Sequence, residues 1–309
     1  MSHPGRPVPV TATTVLSVAP VIVPTSDRGT ELHVRVTAPA VGDGLSLIVF
    51  SHGFGSSMSA YAPLVDHWAA HGFVVVQPTH LDSRTLAIPQ DDPRVPDMWR
   101  HRINDLTAIL DHLDLFEAAL PGLAGRLDRD RIAVAGHSWG ATTASALLGA
   151  RIVDADGRPG PNMGDPRVRA GVLLALAGHG QEDLTPWAAE QLPSMNPDFA
   201  LMSTPALIVY GDHDHSPMTT REPDWWSDGY HQSPQEKALL VLHGAEHSLG
   251  GVSGYGVTET TDENPEHVAL VNRAATAFLR HALGLGDAPW KDMLTTLTDD
   301  SPLGRLTTK

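Results

Sequence analysis

The feature that most restricts this chain is a repeated pairing: a short, wholly apolar run, then a longer segment whose apolar residues fall three and four apart. Residues 45–50 (LSLIVF) form such a run, stopped by Ser51-His52-Gly53, the pattern of a strand buried on both faces of a parallel sheet. Between 57 and 70, Tyr61, Leu64, Val65, Trp68 and Ala69 keep amphipathic helical spacing until Gly72 interrupts it. Residues 73–76 start another strand, and 99–115 set Ile103, Leu106, Ile109, Leu110 and Leu113 on one helical face. Residues 131–135 read as a strand followed by a small-residue helix over 139–150. Strands at 170–177, 206–210 and 238–242 and a helix over about 266–283 continue the series. This alternation predicts a mostly parallel sheet with helices on both faces. Ahead of it, 15–23 and 31–37 read as an antiparallel opening, because Glu31, His33 and Arg35 alternate with Leu32, Val34 and Val36.

All 309 residues fit one domain, with 1–40 as an N-terminal strand extension and 287–309 as a C-terminal tail. Residues 154–166, rich in Gly, Pro and Asp, read as a surface excursion. Neither an internal repeat nor a long linker interrupts the pattern. With 21 basic and 36 acidic residues, a net charge of −15 argues against nucleic acid or an anionic membrane surface as partner. The absence of cysteine removes disulfides, thiolate metal sites and thiol nucleophiles. No run approaches the ~20 apolar residues of a membrane span. The start, MSHPGRPVPVTATTVLSVAP, lacks the apolar core of a signal peptide, which gives a cytoplasmic expectation and leaves secretion open for a processed chain. Composition does not fix the oligomeric state.

Gly136-His137-Ser138-Trp139-Gly140 lies between the strand RIAVA and the helix ATTASALL, the context of a nucleophile elbow. An abrupt strand-to-helix turn strains its central residue and crowds its flanks, which explains a glycine two before and two after Ser138. The hydroxyl then stands at the carboxyl end of a strand beside the positive end of a helix. Trp139 supplies one backbone N–H for an oxyanion, and Phe54, between Gly53 and Gly55, the other. His52 reads as a brace for that loop.

In hydrolytic sites on this architecture the order is nucleophile, acid, histidine. After the strand ALIVY comes Gly211-Asp212-His213-Asp214, where Asp214 is the expected acid and Asp212 the alternative. After ALLVL comes His243-Gly244-Ala245-Glu246-His247, where His247, in the loop beyond Gly244, is the expected general base. Of the 17 histidines, catalytic work falls to this one. His213 and His215 open a metal-like His-x-His pattern without a downstream ligand cluster, so neither metal nor cofactor is expected. His80 and Asp82 read as loop caps, with pocket lining as the alternative. Trp187, Trp225 and Trp226 are candidate apolar contacts for substrate.

With HGFG, GHSWG, GDHD and GAEH in this order, the chain resembles an α/β-hydrolase over roughly residues 30–285, without room for a large cap domain. VFSHGFGSSMSAYAPLVDHWAAHGFVVVQPTHLD, RINDLTAILDHL and RIAVAGHSWGATT are similar to the platelet-activating-factor acetylhydrolase, chlorophyllase and bacterial polyester-hydrolase (cutinase-like) branch. The resemblance implies Ser138 as nucleophile, His247 as base and Phe54 and Trp139 as oxyanion donors. Acetylhydrolases resemble a variant with the acid after the preceding strand, but here that strand, GVLLALAGHG, has no aspartate, which favours Asp214. Dienelactone hydrolases also resemble this chain, though their usual nucleophile is cysteine. The reading is a serine carboxylic ester hydrolase for a small or medium-chain ester or a polyester. Lactonase and thioesterase chemistry on the same triad remain alternatives, as do a non-catalytic ligand-binding module and a metal-dependent hydrolase at His213 and His215.

Overall fold

Side chains along residues 45–51 alternate between two buried environments: Leu47 and Val49 join one apolar cluster, Ile48 and Phe50 the other. A strand buried on both faces must sit inside a sheet covered on both sides. The computed structural model describes residues 13–154, 156–234, 236–254 and 260–309. Among these, one sheet holds nine strands: β1 (Val15–Val23), β2 (Leu32–Pro39), β3 (Leu45–Ser51), β4 (Phe73–Pro78), β5 (Leu127–His137), β6 (Val168–Leu174), β7 (Ala206–Gly211), β8 (Lys237–Leu242) and β9 (Gly304–Thr308). Their spatial order is β1-β2-β4-β3-β5-β6-β7-β8-β9. Pairing is parallel from β4 through β8 and antiparallel at the two edges.

The helices are α1 (Ala62–Ala70), α2 (Met98–Asp111), α3 (Leu113–Ala119), α4 (Trp139–Leu147), α5 (Pro186–Gln191), α6 (Asp228–Gln232), α7 (Pro265–Ala282) and α8 (Ala288–Thr296). Leu106, Ile109 and Phe116 of α2 and α3 and Ala141 and Leu147 of α4 cover one face. Leu64 and Trp68 of α1, Val271 and Phe278 of α7 and Trp290 of α8 cover the other. This is the expected α/β-hydrolase fold; the loops over the carboxyl edge carry the short helices α5 and α6, short 3-10 turns and a two-residue strand pair, and no large cap stands over the sheet among the described residues. No helix among the described residues is long and apolar enough to cross a membrane.

Of the boundaries that differ from the sequence reading, three have a clear structural cause. The helix expected from 57 starts at Ala62, because Tyr61 holds a left-handed φ of 66° that a helix cannot contain. The helix expected over 99–115 breaks at His112, whose φ of −125° separates α2 from α3. Residues 287–309 are no loose tail: they form α8 and β9, and β9 pairs along β8 with Leu306 opposite Leu240. The first twelve residues, on which the expectation about a signal peptide mainly rests, lie outside the described residues. From β3 the chain steps outward to β4, then returns to β5 on the opposite side of β3, so their carboxyl ends flank a topological switch point. Crevices in open α/β sheets form there.

Candidate active site

Ser138 occupies the single residue between β5 and α4, at φ 56° and ψ −126°. Such a conformation costs a non-glycine residue roughly 1–3 kcal/mol and persists only when its surroundings enforce it. The flanking glycines are part of that enforcement. A Cβ on Gly136 would lie 2.2 Å from the Gly140 carbonyl oxygen, and one on Gly140 would lie 2.0 Å from that of Ser51. The Ser138 amide donates to Leu174 O at 2.8 Å, and Ser138 O accepts from Ala141 N at 2.8 Å.

The loops after β7 and β8 pack as one unit, for a Cβ on Gly211 would meet the Ala245 carbonyl oxygen at 2.0 Å. From them, Asp214 and His247 come to Ser138. His247 Nε2 is 2.9 Å from Ser138 Oγ, and His247 Nδ1 is 2.8 Å from Asp214 Oδ2. A carboxylate can only accept, so Nδ1 carries the proton and Nε2 is free to accept from the serine hydroxyl. Asp214 is 3 % exposed and the His247 side chain 40 %, so the acid is sheltered while the imidazole borders solvent. Asp212 turns away: its carboxylate accepts from His243 Nδ1 at 3.0 Å and from the Gly244 amide at 2.7 Å, bracing the β8 turn.

Phe54, Ser138 and His247 line one cavity of about 270 Å³, together with Gly53, Arg84 and Ser248. Among the described residues, neither the Phe54 amide nor the Trp139 amide has an internal acceptor. Two free amides beside a serine are what a developing oxyanion requires. The Phe54 ring, 64 % exposed, stands 5.6 Å from the Trp139 ring at the mouth. Phe54 thus offers its side chain as well as its backbone, a contact the sequence reading did not include.

Beneath these amides lies a buried polar cluster in which His52, His80 and Asp82, expected as loop braces or caps, join Arg102 and Asp105, which sequence reasoning missed. Arg102 donates to Asp82 at 2.6 Å, Ser51 Oγ at 3.2 Å, Thr143 Oγ1 at 3.0 Å and the His52 carbonyl, and lies 4.8 Å from the Trp139 ring centroid. Asp82 in turn accepts from the Gly55 amide at 2.9 Å. One guanidinium therefore ties the Phe54 loop to the nucleophile helix. His80 donates to Asp105 at 2.8 Å and accepts from Ser51 Oγ at 2.9 Å, while Asp105 also receives Arg28 at 2.9 Å. Burial pushes His52 down to about 4; neutral, it donates to Gly53 O at 2.7 Å and accepts from the His80 amide at 3.0 Å. The available signal was Arg102 and Asp105, polar residues three apart on the face of α2 that carries Leu106.

The tryptophans require correction. Trp225 and Trp226 are buried and present no wall to a substrate. Trp226 instead packs 5.1 Å from the His247 ring and donates its Nε1–H to the Asp214 carbonyl at 2.8 Å, holding both residues in place. Trp187 is 59 % exposed on α5 and does not line the Ser138 cavity. His213 stands 4.0 Å from Asp212 and His215 3.8 Å from Glu222. No group of three or more possible ligands gathers around a metal position among the described residues.

A family model described as chlorophyllase matches residues 11–153, which includes β1 through α4 and therefore Ser138. The chain is 23 % identical over 288 residues to a platelet-activating factor acetylhydrolase of Cavia porcellus, covering 79 % of this chain and 59 % of the relative. It is also 26 % identical over 209 residues to cutinase est2 of Thermobifida alba, covering 68 % of this chain and 55 % of the relative. The chain spans a little under three fifths of the length of these curated relatives.

Proposed function

We propose that this α/β-hydrolase is a serine carboxylic ester hydrolase acting through an acyl-enzyme. The observation that carries the reading is the continuous hydrogen-bonded line from Ser138 Oγ through His247 to Asp214, beside two amides with no internal acceptor. Ser138 Oγ attacks the ester carbonyl as His247 Nε2 takes its proton, and Asp214 stabilises the resulting imidazolium. The tetrahedral oxyanion is held by the Phe54 and Trp139 amides. His247 then returns the proton to the departing alkoxide, and water activated by the same imidazole releases the acid and free serine.

The cavity is small and, among the described residues, Phe54 stands exposed at its mouth, which suits a short acyl group attached to a larger leaving group or a polymer chain. Relatives named acetylhydrolase and cutinase support an ester as the substrate class. A fluorophosphonate should label the protein stoichiometrically at Ser138. Ser138→Ala should abolish labelling and lower kcat on p-nitrophenyl acetate and butyrate by at least ~10³-fold. Near-normal hydrolysis by that variant would refute the assignment.

A further inference from the structure

We infer that Tyr61 and His137 are positioning residues, forming a hydrogen-bond relay that fixes the His247 loop to the Phe54 loop. This inference rests on the serine-hydrolase reading of the site. The contacts run from the Gly53 amide to Tyr61 Oη at 3.0 Å, from Tyr61 Oη to His137 Nδ1 at 3.0 Å, and from His137 Nε2 to the His247 carbonyl at 2.8 Å.

Every proton in this relay has one place to be. The His247 carbonyl only accepts, so His137 Nε2 carries hydrogen; Nδ1 of the neutral ring must then accept, and Tyr61 must donate to it. The phenol oxygen is left to accept from the Gly53 N–H, with the Ser253 hydroxyl as a further hydrogen-bond partner. The direction is unique, running from the residue before the Phe54 oxyanion donor to the backbone of the catalytic base. Burial keeps both members in the required neutral forms, pushing His137 down to about 3 and the Tyr61 phenol up. A neutral His137, 5.1 Å from the His247 ring, also avoids opposing the imidazolium that His247 becomes.

Two further observations show that the backbone is shaped around the pair. Tyr61 holds a left-handed φ of 66°, a strain that ordinary helix entry would not demand. A Cβ on Gly53 would lie 2.9 Å from Tyr61 Oη, so any larger residue there would have to push the phenol from its place. The histidine inside Gly136-His137-Ser138-Trp139-Gly140, which with Tyr61 borders the same cavity as Ser138, is thus bonded to the His247 backbone directly and to Gly53 through Tyr61.

The test compares Tyr61→Phe, His137→Leu, His137→Gln and the Tyr61→Phe/His137→Leu double variant, with kcat expressed per fluorophosphonate-labelled Ser138. Tyr61→Phe removes one hydroxyl, strands two buried partners and should lower kcat about 10- to 100-fold with KM within about threefold. His137→Leu should match it, the double should be no worse than the poorer single, and His137→Gln, which can still accept and donate, should recover most of the rate. Counting labelled enzyme removes losses due to unfolded protein. Singles within about twofold of wild type, or losses that multiply in the double, would overturn the relay. If wild-type protein fails to label, the serine reading fails and takes the relay with it; normal labelling with unslowed variants rejects the relay alone.

Discussion

At the scale of single residues, two aspartates two positions apart have been given unrelated work by the direction of their side chains. Asp214 lies buried against His247 Nδ1, whereas Asp212 is spent on His243 and the Gly244 amide. Asp214→Asn should therefore lower kcat by at least ~10²-fold, because an amide no longer enforces the tautomer with a free Nε2. Asp212→Asn should stay within about tenfold of wild type. Steady-state kinetics on one p-nitrophenyl ester decides it, and an inverted ranking would make Asp212 the acid. The residues that gather at Ser138 were legible because motif order and strand ends locate them in any such sheet. The tryptophans were not: an aromatic in a loop after a strand reads the same whether it lines a cleft or, like Trp226, packs against the His247 ring. Arg102 was hidden for a related reason, since nothing in a helical pattern announces that a charge will be buried with partners from three other segments.

At the scale of elements, periodicity worked where an element carries its own apolar face and failed where the partner supplies the structure. The buried central strands and α7 are visible in their own residues. β9, with the sequence GRLTT, has one large apolar side chain and exists because β8 offers a free row of backbone groups. A chain ending at Gly286 would lose α8 and β9, exposing the β8 edge and uncovering Phe278, whose ring meets Trp290 at 5.3 Å. Such a truncation should be recovered mainly as aggregate, and the milder Trp290→Ala should lower stability by about 3–5 kcal/mol. Soluble truncated protein melting within a few degrees of the full chain would return residues 287–309 to the status of a tail.

At the scale of the whole molecule, the sequence shows a net charge of −15 and 17 histidines, but not which histidines are buried. His52 and His137 are held at about 4 and about 3, and His80 well below its usual range, chiefly by burial. In the unfolded chain these rings titrate near ~6.5. Above that pH both states leave them neutral and they contribute no pH dependence; as pH falls toward the folded values, only the unfolded chain takes up their protons, and stability falls. Asp105 acts in the opposite sense: burial raises its carboxyl to about 7 against the pull of Arg28, so the folded state takes that proton first as pH drops toward ~3.8. These three imidazoles, joined by His67, which partial burial also lowers to about 4, outweigh the one carboxyl and leave a net uptake of protons on unfolding between about pH 6.5 and 4. Acidification also reduces the negative net charge, which relieves self-repulsion, but salt weakens that effect among exposed groups more than among buried ones. Urea unfolding at roughly 0.15 M salt should therefore give a lower free energy at about pH 5 than at about pH 7. Equal or greater stability at the lower pH would mean that His52, His80 and His137 accept protons in the folded state, contrary to the neutral rings their burial requires.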